Sequence, residues 1–271
     1  MHLSNVPRDC DARFKISSDA VRSAVCLTKA AAMKKMSVDA RFQTGATHLI
    51  AGSPGSGKTY SVMEILRNVK DMFVDGEKIK NVVFYYASWQ EMYDRLDETG
   101  VVTEWVPRMP TNDEFVQAVA PYRTGGGSIV VIDDFMSEIS KELVDIVTVS
   151  ARHNNASTFI LFQSLFPTDR EARQISLSVK YIWVFKNPRE NSQFGHLVRQ
   201  ITPRDYKWMV DAFQEATRDA YTYVLLDLTQ TTPDHLRIRS AVLPSQAPMK
   251  VWMRKGDPHL RWTPARHGDS S

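Results

Sequence analysis

The sequence predicts an α/β fold in which helices cover both faces of a mostly parallel central sheet. Two observations support this prediction. Runs such as 47–51, 129–132 and 181–185 are apolar at most positions, which is typical of strands that are buried on both faces. Segments with a helical spacing of apolar residues separate these runs, so that strands and helices alternate along the chain.

Each element has its own signal. Val62, Ile65 and Leu66 lie on one apolar stripe of the first helix. β-Branched and aromatic residues mark the second strand, and Asp113 and Glu114 mark the first turn of the third helix. The predicted helices are 58–70, 89–96, 112–120, 141–151, 190–200 and 203–217. The predicted strands are 47–51, 82–87, 128–133, 158–163 and 181–185, followed by a hairpin of 221–228 and 236–242 that extends the sheet.

The chain is predicted to form one α/β domain with a basic extension at each end. The domain spans 45–243, the N-terminal extension is 1–44, and the tail 244–271 contains four prolines and is expected to be loosely ordered. Residues 8–41 hold eight Lys/Arg and four Asp/Glu, and residues 237–267 hold seven Lys/Arg and one Asp. Basic termini of this kind favour contact with nucleic acid, although they also serve solubility.

Simple features exclude several classes of protein. No run of about 18 apolar residues is present, so no transmembrane helix and no membrane partner are expected. The N-terminal region carries charged side chains where a secretory signal has an apolar core. The two cysteines, Cys10 and Cys26, are too few for a disulfide framework or a cysteine-based zinc site. A reducing, intracellular compartment is therefore expected.

Residues 52–59 read GSPGSGKT and match the phosphate-loop motif GxxxxGK[S/T] at every position. Glycines let such a loop curl so that backbone N–H groups point at phosphate oxygens, and the positive end of the next helix faces the same anion. Lys58 is expected to reach the β and γ phosphates, and Thr59 is expected to bind Mg²⁺. The residues predicted to bind ATP are Gly52, Ser53, Pro54, Gly55, Ser56, Gly57, Lys58, Thr59 and Tyr60. The strand before this loop and the helix after it predict a P-loop NTPase.

Two carboxylates, Asp133 and Asp134, follow the apolar run Ile129–Ile132. A carboxylate at the end of a buried strand beside a phosphate loop holds Mg²⁺ through water, together with the threonine of the loop, and Asp133 is expected in this role. Asp134 is placed to orient or deprotonate the attacking water. Two alternatives stay open: Asp134 is the N-cap of the next helix, or Glu138 is the base.

A whole strand, 82–87, lies in the sequence between the phosphate loop and Asp133. This arrangement resembles the additional-strand class of P-loop ATPases, in which the strand after the acidic one ends in a polar sensor of the γ-phosphate. Here that strand ends in Gln163, which is expected to be the sensor. The alternative is that Gln163 only begins a turn.

Four motifs together resemble the FtsK–HerA superfamily of DNA-pumping ATPases. They are GSPGSGKT at 52–59, VVIDDF at 130–135, SARHNN at 150–155 and FQSLFP at 162–167. Within that superfamily the chain is most similar to the poxvirus A32-like packaging ATPases, including those of Maverick/Polinton elements. The resemblance covers residues 45–243, and RHNN before a strand that ends in Gln is its most specific part.

The resemblance implies an ATPase that pumps double-stranded DNA into a preformed viral capsid. Such ATPases work as a ring, usually a hexamer, with ATP between subunits, and a neighbour supplies an arginine to the γ-phosphate. The matching residue is Arg152; His153, Arg123 and Arg173 are alternatives, and a cation that favours the helix dipole is the structural explanation. The implied partners are DNA and capsid or portal proteins. The implied location is an infected cell, in the nucleus or a cytoplasmic virus factory, or the virion.

Two other functions fit the same motifs. A replicative helicase or a conjugation-type DNA pump shares this ATPase core. A nucleotide-gated assembly or scaffold protein would instead hydrolyse ATP slowly and without regard to DNA. The response of ATP turnover to duplex DNA distinguishes these possibilities.

Overall fold

The computed structural model describes residues 24–28, 39–135, 139–165, 170–187, 191–246 and 248–257. Within these residues, ten strands form one mixed sheet. The strands are β1 (Ala24–Thr28), β2 (Thr47–Ala51), β3 (Asn81–Tyr86), β4 (Glu104–Val106), β5 (Ser128–Asp133), β6 (Ala156–Phe162), β7 (Tyr181–Phe185), β8 (Tyr223–Asp227), β9 (Ile238–Ser240) and β10 (Lys250–Arg254). The α/β fold predicted from the sequence is confirmed.

Nine α-helical segments of the described chain pack on this sheet. They are α1 (Lys58–Arg67), α2 (Val69–Met72), α3 (Glu91–Asp97), α4 (Asn112–Val119), α5 (Lys141–Asp145), α6 (Ala151–His153), α7 (Arg170–Ser178), α8 (Asn191–Ile201) and α9 (Lys207–Ala216). A π-helical turn, Ile146–Ser150, joins α5 to α6. In these parts of the chain, no helix combines the length and the apolar character that crossing a membrane requires.

The order along the sheet is β1-β10-β9-β8-β7-β2-β6-β5-β3-β4. The strands from β7 to β4 in this order are parallel, and β8, β9, β10 and β1 continue the sheet in antiparallel fashion. β6 is inserted between β2, which precedes the phosphate loop, and β5, which ends at Asp133. Because the carboxyl ends of parallel strands meet at one edge, the ends of β2, β5 and β6 lie side by side there.

The two faces of the sheet carry separate apolar cores. Helices α1, α2 and α3 cover one face and α4 to α9 cover the other. Alternation along β5 sends Ile129 and Val131 to the α1 face, and Val130 and Ile132 to the opposite face. Asp133 is the next position on the α1 face. The same alternation that buries the strand therefore aims this carboxylate at the helix that follows the phosphate loop.

The structure differs from the sequence prediction in several elements. Lys250–Arg254 is a strand, so the expected loose order of the tail is wrong for these residues; Val251, Trp252 and Met253 are buried there. The sequence pattern does not predict β4 or α7. The backbone of β1, in the basic N-terminal extension, pairs with β10, so the sheet continues past both ends of the predicted domain. The predicted first helix divides near Asn68, and the fourth contains the π-helical turn.

His48 on β2 is a buried base within the core. Its ring stacks on Phe159 at 4.2 Å and on Tyr181 at 4.5 Å between centroids, and its Nδ1 accepts a hydrogen bond of 3.4 Å from Trp183. Burial lowers the pKa of His48 well below its ordinary value. The folded protein therefore keeps this imidazole neutral where the unfolded chain protonates it.

Protonation of His48 is expected to make the free energy of unfolding depend on pH. The contribution is complete above the unfolded pKa, which is about 6.5, and it is lost as the pH falls below that value, because the unfolded state then binds the proton. The expected loss is about 1 kcal/mol between pH 6.5 and 5.5. Urea unfolding of wild type and His48→Phe across this range measures it. Equal slopes for the two proteins would contradict the prediction.

Candidate active site

The phosphate loop lies at the carboxyl edge of the parallel strands, between β2 and α1. Gly52 donates its N–H to the carbonyl of Phe162 at 3.1 Å, which ties the start of the loop to the end of β6. Ser56 donates its N–H to the carbonyl of Ser53 at 3.2 Å, and the first turn of α1 closes from Ser61 to Gly57 at 3.0 Å. The loop is thus closed on itself and leads directly into the N-terminus of a ten-residue helix, where the dipole favours an anion.

Two glycines of the loop are required by its geometry. A Cβ at Gly52 would lie 2.7 Å from the Cβ of Phe185 and 2.7 Å from the Oγ of Ser56, so no other residue fits without movement. Gly57 has a φ of 100°, in the region that favours glycine. Ser56 Oγ is buried and has no hydrogen-bond partner among the described residues. A cradle this tight, with an unpaired hydroxyl inside it, suits the oxygens of a phosphate.

Lys58 turns back over the loop. Its Nζ donates to the carbonyls of Gly52 at 2.7 Å and Ser53 at 3.1 Å. Burial lowers the pKa of Lys58, while the nearby charges of Asp133 and Asp134 act in the opposite direction. The ammonium group thus lies at the mouth of the loop, held by two backbone carbonyls and near the charges of two carboxylates.

Asp133 is buried, with 3% of its surface exposed, and receives two hydroxyl donors. Thr59 Oγ1 and Tyr93 OH both donate to its Oδ2, each at 2.9 Å. Burial raises the pKa of Asp133, and the hydrogen bonds from Tyr93 and Thr59 and the charge of Lys58 oppose that rise. Burial also raises the pKa of Tyr93, with a further contribution from Asp133, so that its phenol stays a donor. The structure thus places Thr59 and Asp133 together, as the sequence predicted.

The Thr59–Asp133 pair fits the magnesium ion of a Mg·ATP complex. Thr59 donates its hydroxyl hydrogen bond to the carboxylate, so the lone pairs of its oxygen can face a cation. Both groups are oxygen ligands, which Mg²⁺ prefers. The described residues contain no cluster of three or more His, Cys, Asp or Glu side chains. A divalent cation held here would therefore depend on phosphate oxygens and water for the rest of its coordination.

Asp134 and Gln163 lie beside each other at the same edge of the sheet. Gln163 Nε2 donates to Asp134 Oδ1 at 3.4 Å, and both side chains are exposed. Asp134 has a φ of 66°, a conformation that non-glycine residues rarely adopt and that clusters at functional sites. The strand end thus turns sharply and presents one carboxylate inward, at Asp133, and the next one to solvent. Glu138, the alternative base, lies outside the described residues.

Two tyrosines flank the helix N-terminus. Tyr60, the last residue of the predicted ATP-binding set, is 50% exposed. Tyr221, which precedes β8, is 69% exposed, and its Cβ and Cδ1 lie 3.7 Å from where a Cβ of Gly57 would be. The approach of Tyr221 is not predicted from the sequence, because the pattern places this residue in a strand and no local signal links positions 57 and 221. The contact of Tyr93 with Asp133, 40 positions away, is not predicted either.

Arg152 does not join this cluster. It is exposed on α6, and its carbonyl accepts from the N–H of Asn155, whose own carbonyl accepts from the N–H of Ser128. These contacts place Arg152 at the amino ends of β5 and β6. The seven residues of β6 span about 20 Å, so Arg152 lies at the opposite edge of the sheet from the phosphate loop of its own chain.

Neither a protein-family model nor a curated protein matches this chain. Among solved structures, the DNA-packaging ATPase B204 from Sulfolobus Turreted Icosahedral Virus is similar over 73% of this chain and 98% of that chain, with 13% identity and a TM-score of 0.46. The genome packaging NTPase B204 from Sulfolobus turreted icosahedral virus 2, in complex with ATP-γS, is similar over 72% and 96%, with 14% identity and a TM-score of 0.46. A KaiC-like protein from Pyrococcus horikoshii OT3 is similar over 73% and 85%, with 12% identity and a TM-score of 0.40. These similarities concern the backbone fold alone.

Proposed function

We propose that this protein is an ATPase that binds Mg·ATP at residues 52–59. The observation that carries the proposal is the hydrogen bond from Thr59 to the buried Asp133, beside the ammonium group of Lys58. A phosphate loop alone is a binding motif. A buried carboxylate at a strand end that accepts a hydrogen bond from the loop threonine is the arrangement that holds the metal of a nucleotide for hydrolysis.

Each residue has a part in the proposed reaction. Lys58 neutralises charge on the β and γ phosphates, and Thr59 and Asp133 hold the magnesium ion, which supplies charge stabilisation when bound. Asp134 accepts a hydrogen bond or a proton from the attacking water. Gln163 contacts Asp134 at 3.4 Å, and its amide would serve as the sensor of the γ-phosphate. Hydrolysis yields ADP and phosphate.

We further propose that this ATPase forms a ring that translocates double-stranded DNA into a viral capsid. In the superfamily that the motifs resemble, such a ring is usually a hexamer. The proposal rests on the resemblance of the four motifs to the A32-like packaging ATPases. Arg152 lies about 20 Å from its own phosphate loop, so the proposed contact of this arginine with a γ-phosphate requires a neighbouring subunit. Capsid or portal proteins in an infected cell would be the partners.

ATP turnover measured with and without DNA tests this function. Linear duplex DNA of mixed sequence is expected to raise the rate, and raising salt is expected to weaken that effect because the contacts are to phosphates. Single-stranded DNA of the same length is the control. Stimulation by the single strand alone would favour a helicase, and a slow rate indifferent to both would favour a nucleotide-gated scaffold.

Lys58→Ala is expected to lower the affinity for ATP by about 10- to 100-fold, because charge-assisted hydrogen bonds to the phosphates are lost. Titration with a fluorescent ATP analogue measures the change. Lys70→Ala is the matched control, since Lys70 is an exposed lysine on α2. Equal affinities of the two variants would contradict the assignment of the phosphate site.

A further inference from the structure

Tyr93 is the least expected member of the site. It lies on α3, which crosses from β3 to β4, and its hydroxyl donates to Oδ2 of Asp133 at 2.9 Å. Thr59 on α1 donates to the same oxygen at the same distance. Side chains from two helices thus donate to the same carboxylate oxygen, Oδ2. Neither hydroxyl donates to the other oxygen, Oδ1.

The ring of Tyr93 is itself held in place. It is fully buried, and its centroid lies 5.0 Å from Phe84, 5.4 Å from Trp105 and 5.5 Å from Trp89. Aromatic neighbours at these distances leave a buried ring one orientation. The hydroxyl is therefore aimed by packing, and the hydrogen bond to Asp133 is not a contact between two mobile groups.

We infer that Tyr93 is a positioning residue for the magnesium ligand Asp133, an inference that rests on the proposed ATPase function. A carboxylate held by Thr59 alone can rotate about its Cβ–Cγ bond, and Thr59 must also serve the cation. The second donor, Tyr93, keeps Oδ2 hydrogen-bonded within the protein. Oδ1 then remains available to the coordination shell of the magnesium ion. Partners of this kind, which orient a ligand without touching the metal, typically change metal affinity or activity by 10–100-fold when removed.

Tyr93→Phe removes the hydroxyl and keeps the ring. Turnover at saturating ATP is measured against free Mg²⁺ for wild type and variant, with binding of ATP in EDTA as a second readout. The expected result is an approximately tenfold rise in the Mg²⁺ concentration that gives half-maximal turnover. The maximal rate is expected to approach wild type at high Mg²⁺, and metal-free ATP binding is expected to stay unchanged.

Tyr85→Phe is the matched control. Tyr85 lies on β3, is 3% exposed, and belongs to the core on the opposite face of the sheet from Tyr93. This variant also loses one phenol hydroxyl from a buried tyrosine, but it leaves Asp133 untouched. Its Mg²⁺ requirement is expected to match that of wild type.

The possible outcomes separate the two proposals. A lower maximal rate of Tyr93→Phe with an unchanged Mg²⁺ requirement is the result of a merely structural role and would overturn the inference while the ATPase stands. An equal shift in Tyr85→Phe would overturn it as well. A wild-type chain that neither binds nor hydrolyses Mg·ATP would overturn the proposed function itself, and the inference with it.

Discussion

Replacing Asp134 by asparagine is expected to lower the rate of ATP hydrolysis by about two to four orders of magnitude, the usual contribution of a positioned general base. ATP affinity is expected to stay near that of wild type, because Asp134 is exposed and the metal pair is Thr59 and Asp133. Single-turnover hydrolysis together with an equilibrium ATP titration measures both quantities.

Asparagine is a suitable replacement for this position. It tolerates the left-handed backbone that Asp134 adopts, with its φ of 66°, and its Oδ1 still accepts the hydrogen bond from Gln163. The variant therefore loses the carboxylate charge with little change in shape. Glu138→Gln is the comparison variant. Full turnover in Asp134→Asn and loss of turnover in Glu138→Gln would transfer the role of base to Glu138.

Three of the central strands are predicted to the residue, and the reason is physical; the prediction for β6, 158–163, differs from its observed bounds, Ala156–Phe162. Thr47–Ala51, Ser128–Asp133 and Tyr181–Phe185 lie in the middle of the sheet, where both faces are covered and the apolar run coincides with the strand. The three-residue β4 carries no such pattern. β10 is not predicted because its order depends on pairing with β9 and with β1, which is more than 200 positions away in the sequence, and the four prolines of the tail suggest the opposite.

In the candidate site, too, some contacts are predictable from local motifs and others are not. Thr59 and Asp133 were expected to meet because each belongs to a local motif and both motifs lie at the carboxyl edge of parallel strands. Asp134 and Gln163 meet for the same reason. The contact of Tyr93 with Asp133 follows instead from the path of a crossover helix over the sheet, which no spacing in the sequence records. Tyr93 packs among other aromatic residues of the core while its hydroxyl contacts Asp133.

Arg152→Ala is expected to lower turnover by about three to five orders of magnitude if the arginine acts across an interface. It is exposed and far from its own phosphate loop, so ATP binding by the single chain is expected to be unchanged. As a cation at a helix end alone, Arg152 would contribute only about 0.3–1 kcal/mol to stability, and its loss would leave turnover intact. Arg123→Ala and Arg173→Ala, which remove the two alternative arginines, both exposed, test the assignment: loss of turnover in one of them with turnover intact in Arg152→Ala would transfer the role to that residue.

Mixing two inactive variants distinguishes action in trans from action in cis. An Arg152→Ala subunit keeps an intact Asp134, and an Asp134→Asn subunit keeps an intact Arg152, so an interface that brings them together in the right order is complete. In a head-to-tail ring assembled at random from equal amounts, about a quarter of the interfaces have this composition. Turnover is therefore expected to return to about that fraction of wild type if interfaces act independently. Mixing rescues only residues that act on another subunit, so when interfaces act independently a mixture as inactive as its components would show that Arg152 does not serve a neighbour.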